Sequence, residues 1–147
     1  MNHSQQKLII LMADDDADDR LLAREAMHES RVLNDLHFVE DGVQLLGYLR
    51  GDGEFHDRIR YPMPGLILLD LNMPKMDGRE ALALIKSDPR LCRIPVVILT
   101  TSKAEEDKMK GCDLGAVSYI TKPVTFSALV ELMRTLGKYW VQFVELP

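Results

Sequence analysis

Carboxylates, hydroxyls and one ammonium close four short apolar runs in this chain. Asp14, Asp15 and Asp16 follow the run 7–13, Asp70 ends the run 66–70, Thr100 and Thr101 come at the end of 95–100, and Lys122 follows 116–121. Clustered carboxylates repel one another, and an oxygen-seeking dication relieves that repulsion. Mg²⁺ suits the task because it takes one or two carboxylates, keeps several waters and shares a phosphate oxygen. A carboxylate can also attack phosphorus and carry the group as an acyl phosphate. The equatorial oxygens of that group need positive or donor partners, which a dication, a threonine hydroxyl and Lys122 could supply. Brought together, these residues would form an aspartate phosphorylation site.

Taken singly, each residue has an ordinary explanation. An acidic run after a strand caps a helix, a threonine suits a strand, and a lysine suits a surface. Asp70 is more telling, because an uncompensated charge ending a buried strand costs energy. The chemistry therefore depends on elements that bring the residues to one edge. The apolar runs read as strands at 7–13, 36–39, 66–70, 95–100 and 116–121. Between and after them, helices are expected at 18–30, 43–49, 79–87 and 103–112. A last helix is capped by Thr125 and carries an apolar stripe of Phe126, Leu129, Val130, Met133 and Leu136. Residues 51–65, with Gly and Pro among charges, read as an irregular loop. Five doubly buried strands alternating with five helices predict an α/β fold with a parallel sheet and right-handed crossovers. Ligands of such sheets bind at the carboxyl ends of the strands, where all the residues above fall.

Composition narrows the function classes. The 147 residues suit one domain, with 46% hydrophobic and 28% charged residues and a net charge of −5. That charge argues against a nucleic-acid partner. The apolar runs are too short to span a bilayer, and the start has no signal-peptide pattern, so the expectation is a cytoplasmic protein without a membrane partner. Cys92 and Cys112 form no motif, and the four histidines have no metal-ligand spacing.

The motifs together resemble the receiver domains of two-component response regulators. They are Asp14-Asp15, the run 66–70 followed by Asn72-Met73-Pro74 and Met76-Asp77-Gly78, the run 96–100, and Tyr119-Ile120-Thr121-Lys122-Pro123. The resemblance implies a flavodoxin-like (CheY-like) five-stranded sheet of order 2-1-3-4-5 with five helices. It implies that Asp70 is the phosphoacceptor. Asp15 and Asp70 would ligate Mg²⁺, or Mn²⁺ in its place, together with the backbone carbonyl of Asn72, while Asp14 would act mostly through water. Thr100 would hydrogen-bond the phosphoryl group, Lys122 would pair with it, and the Lys122–Pro123 bond would be cis. Tyr119 would be a rotamer switch coupled to Thr100. The phosphodonor would be a sensor histidine kinase. Beyond its own phosphorylation and dephosphorylation the chain would catalyse nothing.

Three features are similar to the single-domain regulators paired with bacterial and cyanobacterial phytochromes: the long loop 52–65, Asp41-Gly42, and the ending from Tyr139-Trp140 to Glu145-Leu146-Pro147. A phytochrome is thus the implied kinase. Asp16 and Thr101 depart from the family pattern, adding charge and bulk near the site, while the polar Asn72 and Ser102 give no sign of slow dephosphorylation. Residues 1–147 are expected to form a single receiver domain, with an apolar extension of the last helix at 138–147. Leu132, Leu136, Tyr139, Trp140 and Phe143 exceed what one buried stripe requires. A homodimer through the fourth helix, fifth strand and fifth helix is therefore expected. Output would pass by protein contact or phosphoryl relay.

Two rival readings share some of these residues. A haloacid-dehalogenase-type phosphatase would use Asp14 as nucleophile, with Asp16 in DxD spacing and Thr100 behind it. It lacks the loop threonine, an acidic pair after Lys122 and a cap domain, and it leaves Asp70 idle. A nucleotide-binding flavodoxin-like module lacks a Gly-rich loop after the first strand, where aspartates would repel phosphates.

Overall fold

The computed structural model describes residues 8–31, 34–110 and 115–144. Among them, five strands alternate with five α-helices: β1 Leu8–Ala13, α1 Ala17–Ser30, β2 Asn34–Val39, α2 Gly42–Arg50, β3 Leu66–Asp70, α3 Gly78–Ser87, β4 Val96–Thr100, α4 Lys103–Lys110, β5 Ser118–Thr121 and α5 Phe126–Val144. The strands form one parallel sheet of order β2-β1-β3-β4-β5, the expected topology. The expected beginning of the first strand at Lys7, and Cys112 at the end of the fourth helix, lie outside the described residues. So do residues 145–147 and the side chains of Tyr139, Trp140 and Phe143.

The central strands read as unbroken apolar runs because both faces of the sheet are covered. Their alternation is visible in the packing. Leu11, Ile67, Leu69, Val96 and Ile98 pack with α2 and α3 through Leu45, Leu49, Leu82 and Ile85. Ile10, Met12, Leu66, Leu68, Val97 and Leu99 pack with α1 and α5 through Ala23, Met27, Val130 and Met133. Helix starts follow local chemistry: Asp16, Asp41 and Asp77 each accept backbone N–H groups of the first turn of α1, α2 and α3. Thr125 Oγ1 accepts the Ala128 N–H at 3.1 Å, capping α5 as expected.

Two expectations about α5 need correction. Phe126 is 42% exposed and lies off the core stripe, beside Arg24 and His28 on the outer side of α1. Leu136 is only 6% exposed and belongs to the core beneath α1, so its side chain is not interface surface; Leu132 is half-buried against the same cluster.

The loop after α2 is more ordered than its composition suggests. It holds a 3₁₀ turn at Gly53–Phe55. Arg58 donates to the carbonyls of Tyr48 at 2.7 Å and Leu49 at 2.7 Å, satisfying the open end of α2. Phe55 and Tyr61 meet the Tyr48 ring at 5.4 and 5.7 Å. The buried Tyr48 hydroxyl donates to Pro62 O at 2.9 Å, and burial pushes its pKa up to about 12, against the opposing pull of Arg58. The folded state thus keeps a phenol proton that the unfolded chain releases near pH 10. Stability should be intact below pH 10 and fall as pH rises from 10 to 12. Tyr48→Phe should flatten that fall in a urea titration across this range, while losing about 1 kcal/mol for the hydrogen bond.

Candidate functional site

The ladder runs one residue past several strand ends and fixes the residues beyond them. Asp14 N donates to Val39 O at 3.0 Å, Leu71 N to Leu99 O at 3.0 Å, and Lys122 N to Thr100 O at 2.6 Å. Asp14 continues the alternation of Ile10 and Met12, Asp70 that of Leu66 and Leu68, and Lys122 follows Ile120 by two. All three therefore belong with the α1–α5 side of the sheet. Their charges meet there. Lys122 Nζ lies 3.0 Å from Asp14 Oδ2, 3.3 Å from Asp70 Oδ2 and 2.7 Å from Asp19 Oδ2.

Asp14 is fully buried, Asp70 is 4% exposed and Asp15 is exposed. One carboxylate oxygen from each of the three lies within 4.8 Å of the other two. Burial raises the carboxyls of Asp14 and Asp70 above their ordinary values, against the opposing charge of Lys122 and the N–H groups of Asp16 and Asn72. Burial alone would lower Lys122, but its hydrogen bond to Asp19, its close contact with Asp14 and the charge of Asp70 hold it above its ordinary value. It is one ammonium among four carboxylates. Asp14 Oδ2 is buried and accepts no hydrogen bond from the described residues, its contact with Lys122 being an ion pair at unfavourable hydrogen-bond geometry. A hard dication with oxygen ligands fits this donor set.

Asp19 was missed by sequence reasoning, because an acidic residue in a helix's first turn is explained by the dipole. Asp16 caps α1, accepting from Asp18 N and Asp19 N, so its charge is engaged there. Asn72 donates its N–H to Asp70 Oδ1 at 3.1 Å, and Thr101 is exposed. The Lys122–Pro123 bond is not cis, contrary to the expectation; trans is the intrinsically preferred isomer, and the Lys122 ladder bond forms with it.

Thr100 is fully buried and follows the other alternation, that of Val96 and Ile98. Its hydroxyl donates to Glu105 Oε1 at 3.0 Å rather than towards Asp70, and its oxygen accepts Ser102 N–H at 3.3 Å. Tyr119 is half-buried against the α2–α3 side of the core.

The turn after Asp70 depends on Gly78. A Cβ there would lie 2.7 Å from Asp70 O and 2.9 Å from Leu71 Cα, and the Gly78 N–H donates to Leu71 O at 2.9 Å. Gly78→Ala should therefore cost about 1–3 kcal/mol, read as a lowered melting temperature, because the backbone carrying Asp70 must move.

A buried carboxylate ending a central parallel strand thus lies beside a lysine and three further aspartates. The response regulator receiver domain family matches residues 10–134, and the chain belongs to that family. It is 40% identical over 141 residues to response regulator Rcp1 of Synechocystis sp., covering 96% of this chain and 93% of that protein. Among solved structures it resembles the phosphorylated cyanobacterial phytochrome response regulator RcpA, with 42% identity and TM-score 0.82 over 97% of this chain and 99% of that one. It also resembles the Mn²⁺-bound form of Rcp1, with 38% identity and TM-score 0.78 over 95% and 99%. The protein is thus a receiver-type response regulator similar to phytochrome response regulators, and the phosphatase alternative gains no support. No described helix is long and apolar enough to cross a membrane.

Proposed function

We propose that Asp70 accepts a phosphoryl group from the phosphohistidine of a sensor kinase, one linked to a phytochrome, and that the protein signals through the altered surface. A carboxylate oxygen of Asp70 forms the new O–P bond as the N–P bond breaks, and the imidazole leaves with the electron pair. Asp15 and Asp70, with the Asn72 carbonyl, would hold Mg²⁺, and Asp14 would act through water. When bound, the ion supplies positive charge against the phosphoryl oxygens. Lys122, 3.3 Å from Asp70 Oδ2, orients that carboxylate and supplies a second positive partner for the acquired oxygens. The Thr100 hydroxyl then turns to the phosphoryl group and Tyr119 takes up the space vacated. Only such differential contacts shift a two-state equilibrium. The readout surface is α4, β5 and α5, and a second copy of the chain is the partner we favour there.

The observation carrying this reading is one lysine held by three carboxylates, Asp14 after β1, Asp70 ending β3 and Asp19 in the first turn of α1. Phosphotransfer profiling tests it. Labelled phosphoryl groups should pass to this protein within seconds from a phytochrome-linked kinase and far more slowly from unrelated histidine kinases. Equal transfer from all of them would remove the phytochrome assignment.

A further inference from the structure

Three charged groups placed by the strands and the Thr100 hydroxyl come from opposite alternations of the sheet. Asp14, Asp70 and Lys122 continue the positions packed on α1 and α5, whereas Thr100 continues those packed on α2 and α3. A hydroxyl has one proton to give. Here Thr100 gives it to Glu105 Oε1 at 3.0 Å, while its oxygen accepts from Ser102 N. Glu105 is itself held in place. Its other carboxylate oxygen accepts from Arg79 of α3 at 3.1 Å, and its backbone N–H donates to Ser102 Oγ at 3.2 Å in the first turn of α4.

We propose that Glu105 is a latch on Thr100: it holds the hydroxyl away from Asp70 in the unphosphorylated protein, and acceptance of a phosphoryl group has to win that hydroxyl from it. The proposal rests on Asp70 being the acceptor. Glu105 acts as a positioning residue, since its contact is with Thr100 and not with the phosphoryl group. A carboxylate is a strong acceptor, and Thr100 is fully buried, so its end of the bond is out of water while the Glu105 side chain is partly exposed. Arg79 links the latch to α3, the helix that follows the Asp70 turn. The start of α4 is thereby tied to the state of Thr100. When the hydroxyl leaves, the Glu105 carboxylate keeps only its contact with Arg79, and the first turn of α4 is freed to move.

Beryllofluoride with Mg²⁺, a phosphoryl mimic that bonds to an aspartate, serves as the probe, and bound fluoride is read by fluorine NMR. Glu105→Ala should lower the half-saturating concentration about tenfold, the scale of one charged hydrogen bond. Glu105→Gln keeps shape and a weaker acceptor, so it should give a smaller shift in the same direction and serves if the alanine variant does not fold. In a Thr100→Ala background, Glu105→Ala should change nothing. An unchanged or raised half-saturating concentration in Glu105→Ala overturns the latch. An equal gain without the Thr100 hydroxyl also overturns it, because the effect would then be removal of a negative charge. Should Asp70→Asn bind the probe as tightly as wild type, the acceptor assignment itself fails, a result distinct from either.

Discussion

Asp70→Asn should give a folded protein whose uptake of phosphoryl groups from a small-molecule donor is lower by at least about three orders of magnitude. The amide keeps the side chain's shape and its contact with Asn72 N but is no nucleophile. Without a dication the variant should also be the more stable protein at neutral pH. The sign follows from the raised carboxyl of Asp70: the folded state holds a proton that the unfolded chain has already released. The wild-type carboxylate is therefore a liability that grows as pH rises above the ordinary carboxylate range, and the variant escapes it. Urea midpoints measured from pH 4 upward should diverge in favour of Asp70→Asn. Mg²⁺ should narrow or reverse the gap, since a ligand that binds only the folded state adds stability in proportion to its affinity. A variant that melts below wild type at neutral pH without metal would show that burial does not strain this carboxylate.

Lys122→Met should be the most destabilising change at the site. Removing the ammonium leaves Asp14, Asp70 and Asp19 facing one another, the first two buried. Breaking a buried pair by deleting one partner costs about 3–5 kcal/mol. Part of that loss should return on adding Mg²⁺, or on adding Asp14→Asn, because both lower the uncompensated negative charge. Denaturant titrations with and without metal check this. If Lys122→Met matches wild type in metal-free buffer, the ammonium is not what holds the carboxylates together.

The sheet was legible because its central strands are doubly buried apolar runs, and because Asp70 and Thr100 end two of them with groups that resist burial. Lys122 became visible for the same reason, as the polar residue that follows an apolar strand. Asp19 did not, since its charge suits a helix start, and its partner lies 103 positions away. Glu105 and the buried Glu106 looked like the solvated face of a polar helix. Their role depends on α4 lying against the ends of β4 and β5, where Thr100 and Thr121 donate to them. The loop after α2 hid its order for a similar reason. Arg58 and three aromatic rings organise it through contacts with α2 that composition does not show. Helical period likewise gave the α5 stripe but not which of its positions reach the core, and Phe126 stays partly exposed beside α1.

Mapping the phosphoryl group tests the central claim most directly. The protein would be incubated with acetyl phosphate and Mg²⁺, reduced with borohydride to convert an aspartyl phosphate to homoserine, digested and sequenced by mass spectrometry. Homoserine is expected at position 70. Conversion at Asp14 instead, or none anywhere, would contradict it.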